Sequence, residues 1–558
     1  MNDLRLAVRA LRSTPVVSIV AALSLALGIG ANTAIFSLVN SLMLRALPVR
    51  QPQQLALITD ESGRGIRSWT NPIWEQIRSH RDLYDGVFAW SNQRFNLTAG
   101  GETQYVDRIW ASGGTFDTLG VTAMLGRTFT EADDTRGGGP DGAVAVISYS
   151  FWQRRLSGAA DAIGRRLTLD KVAFTIIGVT GPDFFGPEVG RSFDVAVPIG
   201  TEPLLRGKES WLDRRSTWWL IVMARLKPGQ PIESGAAAIR GVQRQIREAT
   251  VPADWPAVDA ARYLTDKLTL LAAGTGNSPL RRRYERPLIT LLAVVGLVLL
   301  IACANIANLL LARATARRHE MSVRIALGAS RWRLARQLLC ESLVLALSGA
   351  AAGMLIAAWA SRLLVRQLST QTSTVFLDLS LDWRVLAFTI GVTVATALLF
   401  GTIPALSASR VAPMEALKEH GRGSSSESRV TFAGGLVIAQ VARSLILGVA
   451  AGLFMRTFSS LAGLHLGFDR DRVLLVNINA QQTEILPADR LDAYDRIRRA
   501  VLAVPGVASA AVSFVTPVSG GIWDNRVAVS GGVEMSERER QSNFNAVTPG
   551  WFTTLAHP

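Results

Sequence analysis

The 558-residue chain reads as an α-helical integral membrane protein with α/β domain material outside the cytoplasm. Three observations predict this. Apolar runs recur that match the roughly 20 helical residues needed to cross a hydrocarbon core. A strongly basic loop separates two of them. The long stretch between the first and second runs is balanced in charge, with 25 Lys+Arg and 25 Asp+Glu from residue 51 to residue 280. Hydrophobic residues make up 49% of the chain and charged ones only 18%, too apolar for a purely soluble protein.

Five spans follow, at 16–44, 288–312, 342–364, 385–409 and 430–457. The first is charge-free from 13 to 44, and the fifth is flawed by Arg443 near its middle. An arginine at a helix centre costs about 2.5–3.5 kcal/mol on insertion scales, so Arg443 needs a polar neighbour or it weakens the span. Residues 1–15 read as an amphipathic helix on the cytoplasmic face. A cleaved signal peptide is the alternative for this end. The apolar run outlasts the roughly 7–15 residues of a signal core and ends in no small-residue cleavage site, so an uncleaved anchor is the reading.

The loop 313–341 orients the whole chain. It carries Arg313, Arg317, Arg318, Arg324, Arg331, Arg333 and Arg336 against only Glu320 and Glu341. Short loops this basic stay in the cytoplasm. The first span therefore carries 45–287 outside, and 365–384 is a second outer loop. The net charge of +15 is topological, because the excess flanks spans at Arg5, Arg9 and Arg12 and at Arg410, Lys418 and Arg422. That distribution argues against nucleic acid and for contact with anionic lipid. Arg281, Arg282, Arg283 and Arg286 break the rule and are expected among the outer headgroups. Cys303 and Cys340 lie in or beside spans, so the exported segment has no disulfide and no cysteine-based metal site.

The exported segment mixes strands and helices. Residues 55–59, 144–148, 166–169, 173–179 and 220–226 read as strands, 72–79 and 232–249 as helices, and 137–140 as a glycine-rich loop. Asn32, Asn305 and Asn308 read as hydrogen bonds between membrane helices. The small residues of 349–353 read as a close-packing site, and Trp218 and Trp219 as domain core.

Several stretches resemble a known family. GGTFDTLGVTAMLGRTF (113–129), IGRRLTLDKVAFTIIGV (163–179) and ARLKPGQPIESGAAAI (224–239) resemble the periplasmic core domain of MacB-type permeases. HEMSVRIALGASRWRLARQLLCESLVLAL and PALSASRVAPMEAL (404–417) resemble the FtsX-type permease domain, here 288–420. The chain also repeats itself. ASGGTFDTLG (111–120) recurs as VTPGWFTTLA (547–556), and LALI (55–58) as VLLV (473–476). After the linker 421–429, a second anchor and a second MacB-like domain begin, the latter over 458–558. This layout is similar to the acidobacterial-type duplicated orphan permeases. A full duplicate would need roughly another 240 residues, so the chain reads as a fragment or a truncated product.

The resemblance implies a multi-pass protein of the bacterial inner membrane, with its N-terminus in the cytoplasm and its large domains periplasmic. A separate cytoplasmic ABC ATPase would be its partner, and a periplasmic adaptor a further one. The coupling segment falls on Glu320, Arg324, Ala326, Leu327, Gly328 and Ala329. Read from the residues alone, Glu320 and Arg324 form an ordinary i,i+4 pair and Gly328 a helix cap. Efflux or extrusion is the first functional reading, and lipoprotein release or cell-wall hydrolase regulation the second. A membrane-anchored scaffold or sensor without transport is a reading of another class. No enzyme is expected. The chain has no GxxxxGK[ST] phosphate cradle, its five histidines are scattered, and no cofactor is implied beyond the ATP that a partner would bind.

Overall fold

The computed structural model describes residues 9, 11–13, 15–61, 68–99, 102–316, 330–369, 375–380, 382–409, 427–464, 467–468, 472–476, 478, 485–517, 523–527 and 540–555. They belong to two compact units, Met1–Leu447 and Gly448–Pro558.

The first unit opens with α1 (Pro15–Val39), which carries no charge. Of the most apolar stretch in Pro15–Leu44, 56% is buried, against 11% in Pro279–Leu310 and 33% in Leu339–Gln367. That makes α1 the central helix of the bundle. It ends in a π turn, Asn40–Leu44, closed by the Arg45 N–H donating to the Asn40 carbonyl at 2.8 Å.

An α/β domain follows. In chain order it comprises β1 (Leu55–Asp60), α2 (Asn71–Ser79), β2 (Gly86–Ala99), β3 (Glu102–Ala111), α3 (Thr115–Leu119), β4 (Ala123–Gly126), β5 (Val144–Ile147), α4 (Tyr149–Leu156), β6 (Arg166–Leu169), β7 (Val172–Thr180), β8 (Val195–Pro198), β9 (Ile221–Arg225), α5 (Ile232–Thr250), α6 (Ala257–Thr265) and β10 (Leu268–Ala272). The strands share one sheet in the order β10-β1-β9-β2-β3-β8-β5-β7-β4, with β6 joining β2 and β7. Neighbours are antiparallel except β3 with β8 and β5 with β7. Local chemistry sets the helix starts: the Thr70 hydroxyl accepts from the Ile73 N–H and Pro72 opens the first turn of α2.

Both faces of the sheet are covered. β1 is buried along its whole length, with Ala56 and Ile58 in one core and Leu55 and Leu57 in the other. The first core is roofed by Ile73, Trp74 and Ile77 of α2 and Ala236, Ile239 and Ile246 of α5. Trp219 lies in it and Trp218 packs against it, as expected. The second core joins Phe88, Trp90, Phe116 and Phe129 to Ile35, Leu38 and Val39 at the C-terminal end of α1 and to Leu42 in the π turn after it. One face of the sheet is therefore closed by the membrane bundle itself.

The bundle is completed by α7 (Pro279–Ala316), α8 (Arg331–Leu368) and α9 (Trp383–Ser409). Among the described residues, Pro15–Leu44, Pro279–Leu310 and Leu339–Gln367 are long and apolar enough to cross a membrane, and Trp383–Leu399 is a shorter apolar stretch. α7 starts well before the expected span, and Pro287 sits inside it. The arginines that interrupt the apolar pattern do not interrupt the helix.

Polar and small residues hold the bundle together. Asn32 Nδ2 donates across to the Val295 carbonyl at 3.0 Å and back to Gly28 at 2.9 Å. The hydroxyls of Thr33 and Thr389 meet at 3.2 Å, and the rings of Phe36 and Phe388 stack with centroids 4.0 Å apart. α1 and α8 nearly touch at Gly30 and Gly353. A Cβ on Gly353 would stand 3.0 Å from both the Ala26 oxygen and the Gly30 nitrogen. Small residues permit such backbone approach in membranes.

The long helix α10 (Glu427–Ala462) contains Arg443 and runs into the second unit. There α11 (Arg490–Leu502), the antiparallel pair β11 (Asp524–Arg526) and β12 (Gln541–Asn543), and α12 (Trp551–Leu555) follow. The sequence repeat reappears as a hydrogen-bond motif. In the first unit the Ala89 N–H donates to the Ser112 hydroxyl at 3.0 Å, and the Ser112 N–H returns to the Ala89 carbonyl at 2.9 Å. In the second, Val512 and Thr548 make the same two bonds, each at 2.9 Å. Ser112 and Thr548 occupy matching places in the repeated sequence.

Gly353→Ala should force α1 and α8 apart and destabilise the bundle by about 1–3 kcal/mol, the usual cost of overpacking. Gly391→Ala, which adds a methyl into open space, should be neutral or slightly stabilising. Unfolding in detergent compares the two. Equal stability would show that the glycine contact is not under packing constraint.

Candidate functional site

The expected coupling residues Glu320, Arg324, Ala326, Leu327, Gly328 and Ala329 lie outside the described residues. What the structure describes are the helices on either side: α7 ends at Ala316, and Ser330 caps α8, its side chain accepting from the Arg333 N–H. At the other end of these helices is the junction with the α/β domain, where charged and polar groups converge.

The π turn after α1 widens the helix and leaves carbonyls to be satisfied, a local feature frequent at functional sites. Arg281, in the first turn of α7, supplies donors. Its Nε donates to the Leu42 carbonyl at 2.8 Å, and its two terminal nitrogens to Thr275 at 2.6 Å and Gly276 at 3.3 Å. Its own N–H is capped by the Ser278 hydroxyl at 3.1 Å. Arg281 was expected among the headgroups; it is instead a half-buried pin joining α1, α7 and the connector from β10. Arg282, Arg283 and Arg286 are exposed. Gly276 has φ +70°, and a Cβ there would approach Leu47 Cδ2 at 2.9 Å, so the connector needs glycine at this point.

A second tie comes from the segment before α9. One oxygen of Asp382 accepts the Val385 N–H at 3.0 Å, capping α9, and the other accepts from Asn40 in the π turn at 2.7 Å. Burial alone would raise the Asp382 carboxyl. The bonds from Val385, Asn40 and Arg384, with the charge of Arg45, outweigh it and hold it below the usual carboxylate range. The tie is thus ionised at neutral pH and is lost only as acid protonates Asp382 through that depressed value. Arg45 pairs with Asp378 at 2.8 Å and donates to the Ser380 hydroxyl at 3.0 Å, while Arg384 donates to the Leu44 carbonyl.

The domain contributes a third tie. The Val189 N–H donates to the Asn277 carbonyl at 2.7 Å, and the Phe376 N–H to Gly190 at 3.1 Å. Phe185 and Phe376 pack with centroids 5.5 Å apart. Glu188, buried beside these bonds, is engaged by Asn92 and by Arg191 at 3.3 Å; burial outweighs them and raises its pKa. The exit of α1, the start of α7, the segment before α9 and the sheet domain thus meet in one bonded junction. Among the described residues no group of three or more His, Cys, Asp or Glu could hold a metal ion.

Comparison with known proteins agrees with this division. Residues 18–242 match the model of the MacB-like periplasmic core domain, and residues 292–413 that of the FtsX-like permease C-terminal domain. The macrolide export ATP-binding/permease protein MacB of Bdellovibrio bacteriovorus is 26% identical over 71% of this chain and 56% of its own length. MacB of Burkholderia cenocepacia is 25% identical over 54% of this chain and 40% of its own. The pyoverdine export ATP-binding/permease protein PvdT of Pseudomonas putida is 25% identical over 53% and 40% respectively. The chain spans about half the length of the curated relatives it matches. The periplasmic region of MacB from Actinobacillus actinomycetemcomitans aligns with 13% identity and a TM-score of 0.28 over 42% of this chain and 94% of that one, too slight a likeness to bear on the fold. Both matches lie in one chain, in that order, a MacB-like periplasmic core domain followed by an FtsX-like permease domain.

Proposed function

We propose that this chain is the permease of an ABC transporter, driven by a cytoplasmic ATPase on a separate subunit and passing its movement to a periplasmic α/β domain. The observation that carries the reading is the junction. Arg281 and Asp382 bind the end of α1 to α7, α9 and the domain connector, so displacement of a helix is displacement of the domain. α7 reaches that junction from the basic loop without a break, its 38 residues spanning roughly 57 Å at 1.5 Å per residue. The loop offers Glu320 and Arg324 to the ATPase, with Ala326 to Ala329 completing the contact.

The relatives named above are export proteins, which favours efflux or extrusion over lipoprotein release or hydrolase regulation. In this reading the chain binds no cofactor itself, ATP being held by the partner. The N-terminus and the loop 313–341 face the cytoplasm, and membrane lipid and a periplasmic adaptor are further partners. Arg443 on α10 belongs to a second anchor of the same kind.

Three outcomes are expected. With both native cysteines replaced by serine, Ser330→Cys should resist a membrane-impermeant thiol reagent in intact cells while Lys171→Cys reacts. External labelling at residue 330 would reverse the topology and end the reading. Chain extracted from membranes should also bring an ATPase with it. Glu320→Ala and Arg324→Ala should lower stimulation of that ATPase without changing membrane insertion, whereas unchanged stimulation in both would return the pair to an ordinary exposed helix contact.

A further inference from the structure

A cavity of about 350 Å³ opens in the α/β domain, lined by none of the junction residues. Its walls are α2, the loop 131–136 after β4 and the segment just beyond β8. Trp74, Ile199 and Leu212 form an apolar side. Charged groups form the rest, and their balance is uneven.

Arg136 is already occupied, its guanidinium paired bidentately with Asp213 at 2.6 and 2.9 Å. Arg78 lies 3.5 Å from Glu131 and 3.9 Å from Asp134, both longer than a good charge-assisted hydrogen bond. Glu131 and Asp134 therefore share one loosely held guanidinium, and Glu75 has only the Asn71 amide at 3.0 Å and the already paired Arg136 at 3.9 Å. Asp134 is the most confined of them, its side chain 2% exposed. Its two oxygens accept the backbone N–H groups of Gly200 at 2.6 Å and Gly113 at 3.0 Å. Burial raises its pKa to about 7 in spite of those bonds; Arg78 on α2 opposes the rise and Glu131 on its own loop adds to it. The wall is short of positive charge.

We propose that this cavity binds a small organic cation, its ammonium group among Glu75, Glu131 and Asp134 and its hydrocarbon part against Trp74, Ile199 and Leu212. An ammonium group supplies the missing charge. An anion would meet three carboxylates and two guanidiniums that already face carboxylates. A cation bound here stabilises ionised Asp134, so binding near neutral pH expels a proton and weakens as the pH falls below 7.

The test is calorimetric titration of the full chain in lipid nanodiscs with 1,5-diaminopentane, and with hexanoate as the anionic counterpart. The diamine should bind saturably and hexanoate should not. Glu131→Gln, at the rim, should weaken the diamine about threefold, and Arg78→Gln should tighten it by a similar factor, each the scale of a partly exposed ion pair. In two buffers of different ionisation heat, proton release should appear at pH 7 and vanish at pH 9. The proposal is overturned by hexanoate binding in place of the diamine, or by no saturable heat from the diamine in the unaltered chain. It is equally overturned if diamine binding ignores both substitutions.

Discussion

The fold depends on one guanidinium. Arg281 bridges the carbonyls of Leu42, Thr275 and Gly276, which belong to the exit of the central helix and to the connector leaving the sheet. The π turn makes this necessary. It shifts the end of α1 out of register with its own ladder, and the orphaned carbonyls need donors that the loop backbone alone cannot place. A hydrogen bond from a charged donor contributes about 1.5–3 kcal/mol, and an unsatisfied buried carbonyl costs about as much. Removing Arg281 therefore unfastens both segments at once.

Around that pin, two packing constraints keep helix and sheet in one body. The second core of the sheet is completed by Ile35, Leu38, Val39 and Leu42 of the α1 exit, so neither part can bury its apolar face without the other. Inside the bundle, the approach of Gly30 to Gly353 leaves no room for α1 and α8 to slide past one another. Packed interiors of this kind transmit displacement instead of absorbing it. Coupling over the length of α7 needs that property.

Much of this was legible in the sequence, and the limits have physical causes. β1, β5 and β9 were recognisable because burial on both faces makes them apolar runs, β7 because its buried residues alternate, and α2 and α5 because their starts carry proline or follow a turn. β2 and β3 were missed. Ser91 to Arg94 are half-buried polar residues in mid-strand, and they break the alternation that would mark a strand. Asn32 and the glycines of α8 behaved as their residue types suggest. Arg281 was misplaced because a run of three arginines beside a span looks like a uniform headgroup patch. Ser278 and Pro279, a helix-start pair, were the available sign that Arg281 sits in a first turn, not on a frayed approach. No local pattern could join Asn40 to Asp382, 342 residues away.

The most direct measurement is amide hydrogen exchange on the full chain in nanodiscs, comparing it with Arg281→Leu. If one pin holds the junction, amides of 40–45 and 275–277 should lose protection together, by roughly thirtyfold for about 2 kcal/mol, while the strands of the sheet stay protected. Loss confined to one of the two segments, or no change in either, would contradict the claim that Arg281 fastens the membrane helices to the domain.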